Sequence, residues 1–284
     1  MKQRYIIVTG ANTGMGLATT IELAKRGYYL IMACRNLSKG EEAKRIAIQE
    51  SGSSLIECLR CDLSSLSSIE QFALDVTERY PYLNGLINNA GVVTIKKEKT
   101  SEGFEMMLGV NHLGHYYLTR LLLPHLEKAD EARIINVSSG AYKTGNLDLN
   151  DPFFENRSFN VAKGYAQSKL ANLLFTKQLV KEVNGTNVCV FSLHPGAVST
   201  SLGVNRETGF GQFIHRLLKP FFLTPAQGAE TAIFLATEGT IRADNGSFFY
   251  KKKQKTLNHK QITDERASAL WQWSEKQVHV ENNS

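Results

Sequence analysis

The chain has 284 residues, 42% of them hydrophobic and 21% charged, which is typical of a globular protein able to bury a sizeable core. No apolar run reaches the roughly 18 residues that a membrane-spanning helix needs, and the run that follows Met1 is too short for a signal peptide, so we expect a soluble, cytoplasmic protein. The net charge of +6 could suit a polyanion, but the basic residues are dispersed and the densest run, at 251–255, favours a solvated loop over a nucleic-acid site.

Strand and helix signals alternate along the chain. Short, β-branched apolar runs predict strands at residues 4–10, 28–35, 53–63, 84–91, 132–139 and 186–196. Amphipathic stretches between them predict helices at residues 15–27, 38–51, 67–80, 101–128 and 164–181, with a last one at about 262–279. The helix at 38–51 opens on Ser38 with Glu41 three residues later, which is the pattern of a capping box.

The interleaved strands and helices predict a single α/β domain over residues 1–284, doubly wound, with a parallel sheet of about seven strands and helices on both faces. Two irregular segments, about 140–163 and 199–224, break the alternation. Each follows a strand, so each should overhang the carboxyl edge of the sheet, where such folds bind ligands. We therefore expect both segments to cover a substrate.

The first strand runs into a glycine-rich turn that opens the first helix. Glycines lack Cβ atoms, so they allow a tight turn and let the backbone approach a pyrophosphate closely. The free N–H groups at the start of the helix then hold the anion. This context favours a dinucleotide site over a plain turn. The residues assigned to it are Thr9, Gly10, Asn12, Thr13, Gly14, Met15 and Gly16.

The end of the second strand indicates which dinucleotide binds. An acidic residue about 20 positions after the glycines would accept the ribose 2′-hydroxyl of NAD, whereas an arginine accommodates the 2′-phosphate of NADP. Arg35 stands at that distance, with no Asp or Glu beside it. An arginine at a strand end can also be merely exposed, and Lys39 can be a helper or a solvated side chain. Together with the glycine turn, Arg35 favours NADP(H).

Cys58 and Cys61 form a Cys-x-x-Cys pair in the third strand, a spacing found in redox pairs and in half of a zinc site. In a strand, residues three apart point to opposite faces, and no second pair follows at zinc spacing, which favours structural thiols in a reducing compartment. His112, His115 and His194 likewise form no metal constellation. We predict packing and hydrogen-bonding roles for them, and no metal.

The glycine spacing, Gly-x-x-x-Gly-x-Gly after Thr9, resembles that of the short-chain dehydrogenase/reductase family. Asn-Asn-Ala-Gly at 88–91, a strand-end serine, Tyr-x-x-x-Lys at 165–169 and His-Pro-Gly at 194–196 follow in the family's order, from residue 5 to about 250. Within the family the chain looks most like the retinol-dehydrogenase-like members. The resemblance implies a Rossmann domain and hydride transfer between NADP(H) and a carbonyl or alcohol.

The resemblance also assigns further cofactor contacts. The adenine side would be bordered by residues after the third and fourth strands: Asp62, Leu63, Asn89, Ala90 and Gly91. The nicotinamide side would be bordered by residues after the sixth strand: Pro195, Gly196, Val198 and Thr200. Alternatives remain open, because Asp62 suits the N-cap of the next helix and paired asparagines suit a plain turn.

Tyr165 and Lys169 lie four apart, on one face of a helix, and Asn111 and Ser139 come from neighbouring elements. We predict that Tyr165 is the proton donor in reduction and the base in oxidation, with Lys169 lowering its pKa and binding the nicotinamide ribose. Ser139, chosen over Ser138 by resemblance, would hydrogen-bond the substrate oxygen. Asn111 would hold a water in a proton relay through Lys169.

The substrate is expected to be a lipophilic aldehyde, ketone or alcohol, by resemblance retinoid- or steroid-like. The segment 199–224 is rich in phenylalanine and suits an apolar lid, but core packing or contact with a membrane surface are alternatives. The last helix could pack on the domain or on a second subunit of a homo-oligomer. The functional alternatives are a non-catalytic NADP-binding regulator or scaffold and, less well matched, a sugar-nucleotide epimerase.

Overall fold

One sheet forms the centre of the protein in a computed structural model that describes residues 2–196 and 223–278. Within those residues the sheet has eight strands, and their spatial order is β3-β2-β1-β4-β5-β6-β7-β8. Their bounds are β1 Tyr5–Thr9, β2 Tyr29–Cys34, β3 Ile56–Arg60, β4 Gly85–Asn88, β5 Ala132–Val137, β6 Val188–His194, β7 Phe248–Tyr250 and β8 Lys253–Lys255. The chain leaves β1 in one direction and returns to β4 on its other side, which confirms the doubly wound fold.

Helices cover both faces of the sheet. Their bounds are α1 Gly14–Lys25, α2 Leu37–Ser51, α3 Leu66–Arg79, α4 Met106–Leu108, α5 His115–Glu127, α6 Val161–Glu182, α7 Pro225–Thr237 and α8 Asp264–Val278. Helices α1, α2 and α7 pack together on one face, while α3 packs with α5 and α6 packs with α8 on the other. Each face has its own apolar core.

Alternate side chains of each strand point to opposite faces of the sheet and pack in these two cores. In β1, Ile6 and Val8 enter the core under α1, whereas Ile7 enters the core under α5, and none of the three is more than 2% exposed. Full burial of such a side chain contributes about 1.5–3 kcal/mol, so the two-sided apolar pattern stabilises a strand between two helical layers.

The run at 251–255 differs from its prediction as a solvated loop. Lys251 and Lys252 adopt left-handed backbone conformations, with φ angles of 52° and 59°, and turn the chain back so that β8 pairs antiparallel with β7. The strand is exposed at the edge of the sheet, where lysines discourage pairing with another chain. The turn lacks the glycine or asparagine that marks such hairpins, so the sequence did not reveal it.

One predicted helix start was wrong, and one alternative that the sequence left open is now decided. Helix α2 begins after Asn36, whose side chain accepts a hydrogen bond from the N–H of Lys39 at 2.9 Å, and Ser38 lies inside the helix instead of capping it. Helix α3 is capped by Ser65, not by Asp62. Asn and Ser are both strong N-cap residues, and the spacing alone did not separate the competing candidates.

The predicted helix at 101–128 begins later than expected. The carboxylate of Glu105 is buried and accepts hydrogen bonds from the N–H groups of Met107 and Leu108, so helical backbone starts at Met106. After α4 the chain widens into one π-helical turn, Gly109–Gly114, before α5. This π turn carries Asn111, and such turns are frequent at functional sites.

The last helix packs on its own domain. Trp271 of α8 stacks on Phe175 of α6, with ring centroids 6.0 Å apart, and Ser274 lies 2.9 Å from Nε2 of His112 in the π turn. The sequence left open whether the last helix packs on its own domain, and these contacts show that it does. No helix within the described ranges, 2–196 and 223–278, has the length and apolarity to cross a bilayer.

Candidate active site

A cavity of about 420 Å³ opens at the carboxyl edge of the sheet. Its walls come from the ends of β1 to β6, as expected for a doubly wound sheet, and its size suits a small-molecule ligand. Every cofactor residue predicted from the sequence lines this cavity, except Val198 and Thr200, which lie outside the described residues. Ser139 lines it as well, whereas Asn111 lies behind its wall.

Further residues line the cavity that the sequence motifs did not assign to a site. These further residues are Ala33, Cys61, Val92, Val93, Val110, Val137 and Ser138. Most of them stand at or just after a strand end, which is a signal that the sequence does carry. Val110 lies in the π turn, whose position the sequence did not indicate.

The glycine turn is shaped to receive an anion. Gly10 and Gly14 have φ angles of 63° and 56°, a region that other residues rarely adopt. A Cβ on Gly16 would lie 2.6 Å from Nδ2 of Asn89 and collide with the carbonyl oxygen of Gly10. Thr13 occupies the N-cap of α1 without making a side-chain cap, which leaves the first N–H groups of the helix for a ligand. These features fit a pyrophosphate.

The end of β2 presents a guanidinium to the same cavity. Arg35 is exposed there and makes no salt bridge to any acidic side chain of the described ranges. The side chain of the next residue, Asn36, is occupied in capping α2. The positive charge of Arg35 is therefore available to a phosphate.

Hydrogen bonds hold the residues after β3 and β4 in place. Asn89 donates from Nδ2 to the carbonyl oxygen of Thr9 at 2.7 Å, so Asn-Asn-Ala-Gly is more than a plain turn. Asp62 accepts hydrogen bonds through Oδ1 from the N–H and the hydroxyl of Ser64, at 3.0 and 2.7 Å. Asp62 thus stabilises its own turn while lining the cavity, and caps no helix.

Lys169 is buried at the other end of the cavity, only 4% exposed. Its Nζ donates to the carbonyl oxygen of Val137 at 3.2 Å and lies 5.6 Å from the ring centroid of Tyr165. Burial lowers the pKa of Lys169 to about 8, because the ammonium has lost most of its hydration. The predicted pairing of Tyr165 with Lys169 on one helix face is present in the structure.

The pKa of Tyr165 differs from its prediction. The sequence predicts a pKa lowered by Lys169, but burial raises it, and the hydrogen bond with Ser139 offsets that rise only in part. A buried phenolate is poorly solvated, and this cost is larger than the stabilisation that Ser139 provides. In the protein by itself Tyr165 is therefore held protonated at neutral pH, the form that donates a proton.

The two serines after β5 have different environments. Ser138 is 1% exposed and donates its hydroxyl to the carbonyl oxygen of Lys169 at 2.8 Å, which ties β5 to α6. The Ser139 hydroxyl accepts from the N–H of Ala141 at 3.3 Å, and it lies close enough to Tyr165 to lower the pKa of that phenol. Because an acceptor bond leaves the hydroxyl proton free, Ser139 can donate toward Tyr165 or a substrate oxygen.

Asn111 uses its side chain to hold the cavity wall. Its Oδ1 accepts from the N–H of Val92 at 2.7 Å, and its Nδ2 donates to the carbonyl oxygen of Val92 at 3.1 Å and to Oγ of Ser168 at 3.0 Å. The amide therefore makes three hydrogen bonds to protein groups, and one lone pair of Oδ1 is left over. The water relay expected through Asn111 stays a prediction.

The histidines and cysteines make packing and hydrogen-bonding contacts. His194 stacks on Tyr250 with ring centroids 5.1 Å apart, and His112 is bonded to α8. Cys58 and Cys61 enter the cores on opposite faces of the sheet, and both are free thiols. Across the part of the chain that the structure describes, no three of these side chains and carboxylates form a metal site.

The chain is similar in sequence to short chain dehydrogenases and to retinol dehydrogenases. The family model of the short chain dehydrogenases matches residues 4–209. Human retinol dehydrogenase 13 is 40% identical over 284 residues, covering 98% of this chain and 85% of that protein. Human retinol dehydrogenase 14 is 38% identical over 299 residues, covering 98% of this chain and 87% of that protein.

Solved structures share the architecture. An uncharacterized protein from Mycobacterium paratuberculosis superposes with a TM-score of 0.78 at 32% identity, covering 98% of this chain and 94% of that one. A short chain dehydrogenase from Shigella flexneri, complexed with NADP, superposes with a TM-score of 0.69 at 24% identity. The superposition covers 89% of this chain and 98% of the Shigella chain. The second likeness concerns the fold alone.

Proposed function

Because this chain belongs to the short-chain dehydrogenase family, we propose that it transfers a hydride between NADP(H) and a lipophilic aldehyde, ketone or alcohol. Its family and its retinol dehydrogenase relatives make it an oxidoreductase of alcohol or carbonyl groups that uses a nicotinamide cofactor. The regulator and the epimerase are thereby set aside. One observation carries the finer proposal: a protonated Tyr165 beside Ser139 lines the same cavity as the glycine turn and Arg35.

The residues that would hold the cofactor follow from the cavity. The glycine turn and the start of α1 would bind the pyrophosphate, and Arg35 would bind the 2′-phosphate. Asp62 and Asn89 would border the adenosine, while Pro195 and Gly196 would border the nicotinamide. When bound, the nicotinamide supplies or accepts the hydride.

The protein's own residues would handle the proton. Tyr165 would donate its phenolic proton to the carbonyl oxygen in reduction and take it back in oxidation. Ser139 would donate a hydrogen bond to the same oxygen and stabilise the charge that develops there. Lys169 would bind the nicotinamide ribose, and its positive charge would favour the phenolate left after proton transfer. Asn111 would hold a water that returns the proton through Lys169.

An apolar wall supports a lipophilic substrate. Val92, Val93 and Val110 line the same cavity as Tyr165. The relatives of this chain are retinol dehydrogenases, and a retinoid- or steroid-like substrate suits such a wall. The segment at 140–163, which follows β5 and is anchored by the buried Tyr142 and Phe154, would cover the substrate. Of the segment at 199–224, residues 199–222 lie outside the described ranges.

The Tyr165→Phe variant tests the proposal. Turnover of retinaldehyde and of a panel of ketones and alcohols is followed by NADPH absorbance, and NADPH affinity by fluorescence. We expect turnover to fall by roughly 10²–10⁴-fold, as for removal of a general acid, with NADPH affinity nearly unchanged. Tyr250→Phe, a change outside the cavity lining, is the matched control. Undiminished turnover in Tyr165→Phe would contradict the mechanism.

A further inference from the structure

His115 joins the glycine turn to the π turn. Its Nε2 lies 2.9 Å from Oγ1 of Thr9 at the end of β1, and its Nδ1 lies 3.1 Å from the carbonyl oxygen of Asn111. All three residues are buried, with at most 2% exposure. No role in cofactor binding or catalysis follows for this histidine from the sequence motifs.

The hydrogen bonds of Thr9 determine which nitrogen of His115 carries the proton. Oγ1 of Thr9 accepts from the N–H groups of Asn89 and Ala90, each at 2.9 Å, which uses both lone pairs of the hydroxyl. Its proton must then be donated outward, to Nε2 of His115 at 2.9 Å or to the carbonyl oxygen of Ile87 at a longer 3.4 Å. The shorter contact makes Nε2 an acceptor without a proton.

A neutral ring that accepts at Nε2 must carry its proton at Nδ1. That nitrogen then donates to the carbonyl oxygen of Asn111. Burial, with the charge of Lys169 on α6 as a further cause, lowers the pKa of His115 to about 4, so the ring is neutral across the working pH range. A protonated ring would have no acceptor for the Thr9 hydroxyl.

The path continues from Asn111 to the catalytic helix. Nδ2 of Asn111 donates to Oγ of Ser168, which itself donates to the carbonyl oxygen of Tyr165 at 2.8 Å. Thr9 is therefore linked to the backbone of Tyr165 by hydrogen bonds through His115, the backbone and side chain of Asn111, and Ser168. One end bears on the cofactor turn, and the other bears on the proton donor.

We propose that His115 is a positioning residue which, as the Nδ1–H tautomer, holds the cofactor turn through Thr9 and the proton donor Tyr165 through Asn111. This inference rests on the proposed function. The alternative is a histidine that only fills core space, for which any side chain of similar volume would serve. The two ring nitrogens act on two different targets, so they can be tested separately.

Two substitutions each keep one of the bonds. In His115→Gln the amide oxygen stands near the place of Nε2 and can still accept from Thr9, whereas in His115→Asn the amide nitrogen stands near the place of Nδ1 and can still donate to Asn111. His115→Leu keeps neither. His125→Gln, at the far end of α5 and away from the cavity, is the matched control.

NADPH affinity is measured by fluorescence, and kcat with retinaldehyde at saturating NADPH. We expect His115→Gln to keep wild-type NADPH affinity and to lose roughly fivefold in kcat, the effect of one lost hydrogen bond. His115→Asn should keep kcat and lose roughly fivefold in NADPH affinity. His115→Leu should lose both. The same loss pattern in the Gln, Asn and Leu variants, or none in any of them, would overturn the proposal. Thermal unfolding identifies a variant that is misfolded. If His115→Leu does not fold, the comparison of His115→Gln with His115→Asn still tests the proposal.

A second measurement needs no turnover. A proton–nitrogen correlation spectrum of nitrogen-labelled histidine side chains, assigned with His115→Gln, reports the tautomer directly. We expect a proton on Nδ1 and none on Nε2 over about pH 6–8. A proton on Nε2 would overturn the proposal even in an active enzyme. Conversely, an enzyme inactive with every carbonyl tested would refute the proposed function and leave the affinity and tautomer results to decide on His115.

Discussion

Lys169 and Asn172 donate hydrogen bonds to one and the same acceptor, the carbonyl oxygen of Val137, at 3.2 and 3.1 Å. Both side chains are buried, at 4% exposure each, and Oδ1 of Asn172 has no hydrogen-bond partner in the described structure. The side chain that shares this acceptor with Lys169 is therefore a neutral amide. Burial lowers the pKa of Lys169, and Asn172 brings no negative charge to oppose that shift.

The Asn172→Asp variant should raise the pKa of Lys169, because an opposite charge so close favours the ammonium. We expect any basic limb of the pH–kcat profile that depends on Lys169 to move upward by about one pH unit. Asn172→Leu, which adds no charge, is the control and should not move that limb upward. The prediction is wrong if the Asp and Leu profiles coincide.

Replacing Lys169 by methionine should stabilise the fold at neutral pH while abolishing turnover. The pKa of Lys169 is about 8 in the folded protein and near 10.5 when exposed, so folding carries the cost of a buried charge below pH 8. By that difference the gain from Lys169→Met is at most about 3 kcal/mol at pH 7.

The gain should shrink as pH rises. Between the folded and unfolded pKa values of Lys169, the unfolded chain binds more protons than the folded one, so wild-type stability rises with pH relative to that of Lys169→Met. Urea unfolding at about pH 7 and pH 9 measures the difference. A variant less stable than wild type at both pH values would show that the bond to Val137 outweighs the cost of burial.

Arg35→Ala should separate the two dinucleotides. Loss of charge-assisted hydrogen bonds to the 2′-phosphate, worth about 1.5–3 kcal/mol, should weaken NADPH binding by roughly 10–100-fold. NADH affinity should change little, since that cofactor lacks the phosphate. Lys39→Ala, a change on the same exposed stretch, is the matched control and should have a smaller effect. Equal losses for NADPH and NADH in Arg35→Ala would remove the basis for NADP preference.

The neighbouring serines should respond in opposite ways. Ser139→Ala should lower kcat by roughly 10²–10³-fold, because it removes the hydrogen bond to developing charge, with little change in stability. Ser138→Ala should instead cost about 0.5–1.5 kcal/mol of folding stability, because the bond that ties β5 to the carbonyl of Lys169 in α6 is lost. Kinetics and denaturant unfolding of both variants check the assignment, and a reversed pattern would exchange their roles.

The fold class and the residues that line the cavity could be predicted from local sequence patterns. The alternation of Ile6, Ile7 and Val8 and the glycine turn are local patterns, set by strand periodicity and by the absence of a Cβ. The spacing of Tyr165 and Lys169 places both on one helix face whatever lies around them. Such features depend on near neighbours in the chain, which is why they could be predicted.

The pKa values of the site residues and the contacts that hold them depend on the tertiary structure. The pKa of Tyr165 rises because of how deeply the folded chain buries it, which no local pattern records. The distinct environments of Ser138 and Ser139 arise where β5 meets α6, and the contact of His115 with Thr9 joins residues 106 positions apart. Burial and long-range hydrogen bonds depend on the assembled fold, so these properties could not be predicted from the sequence.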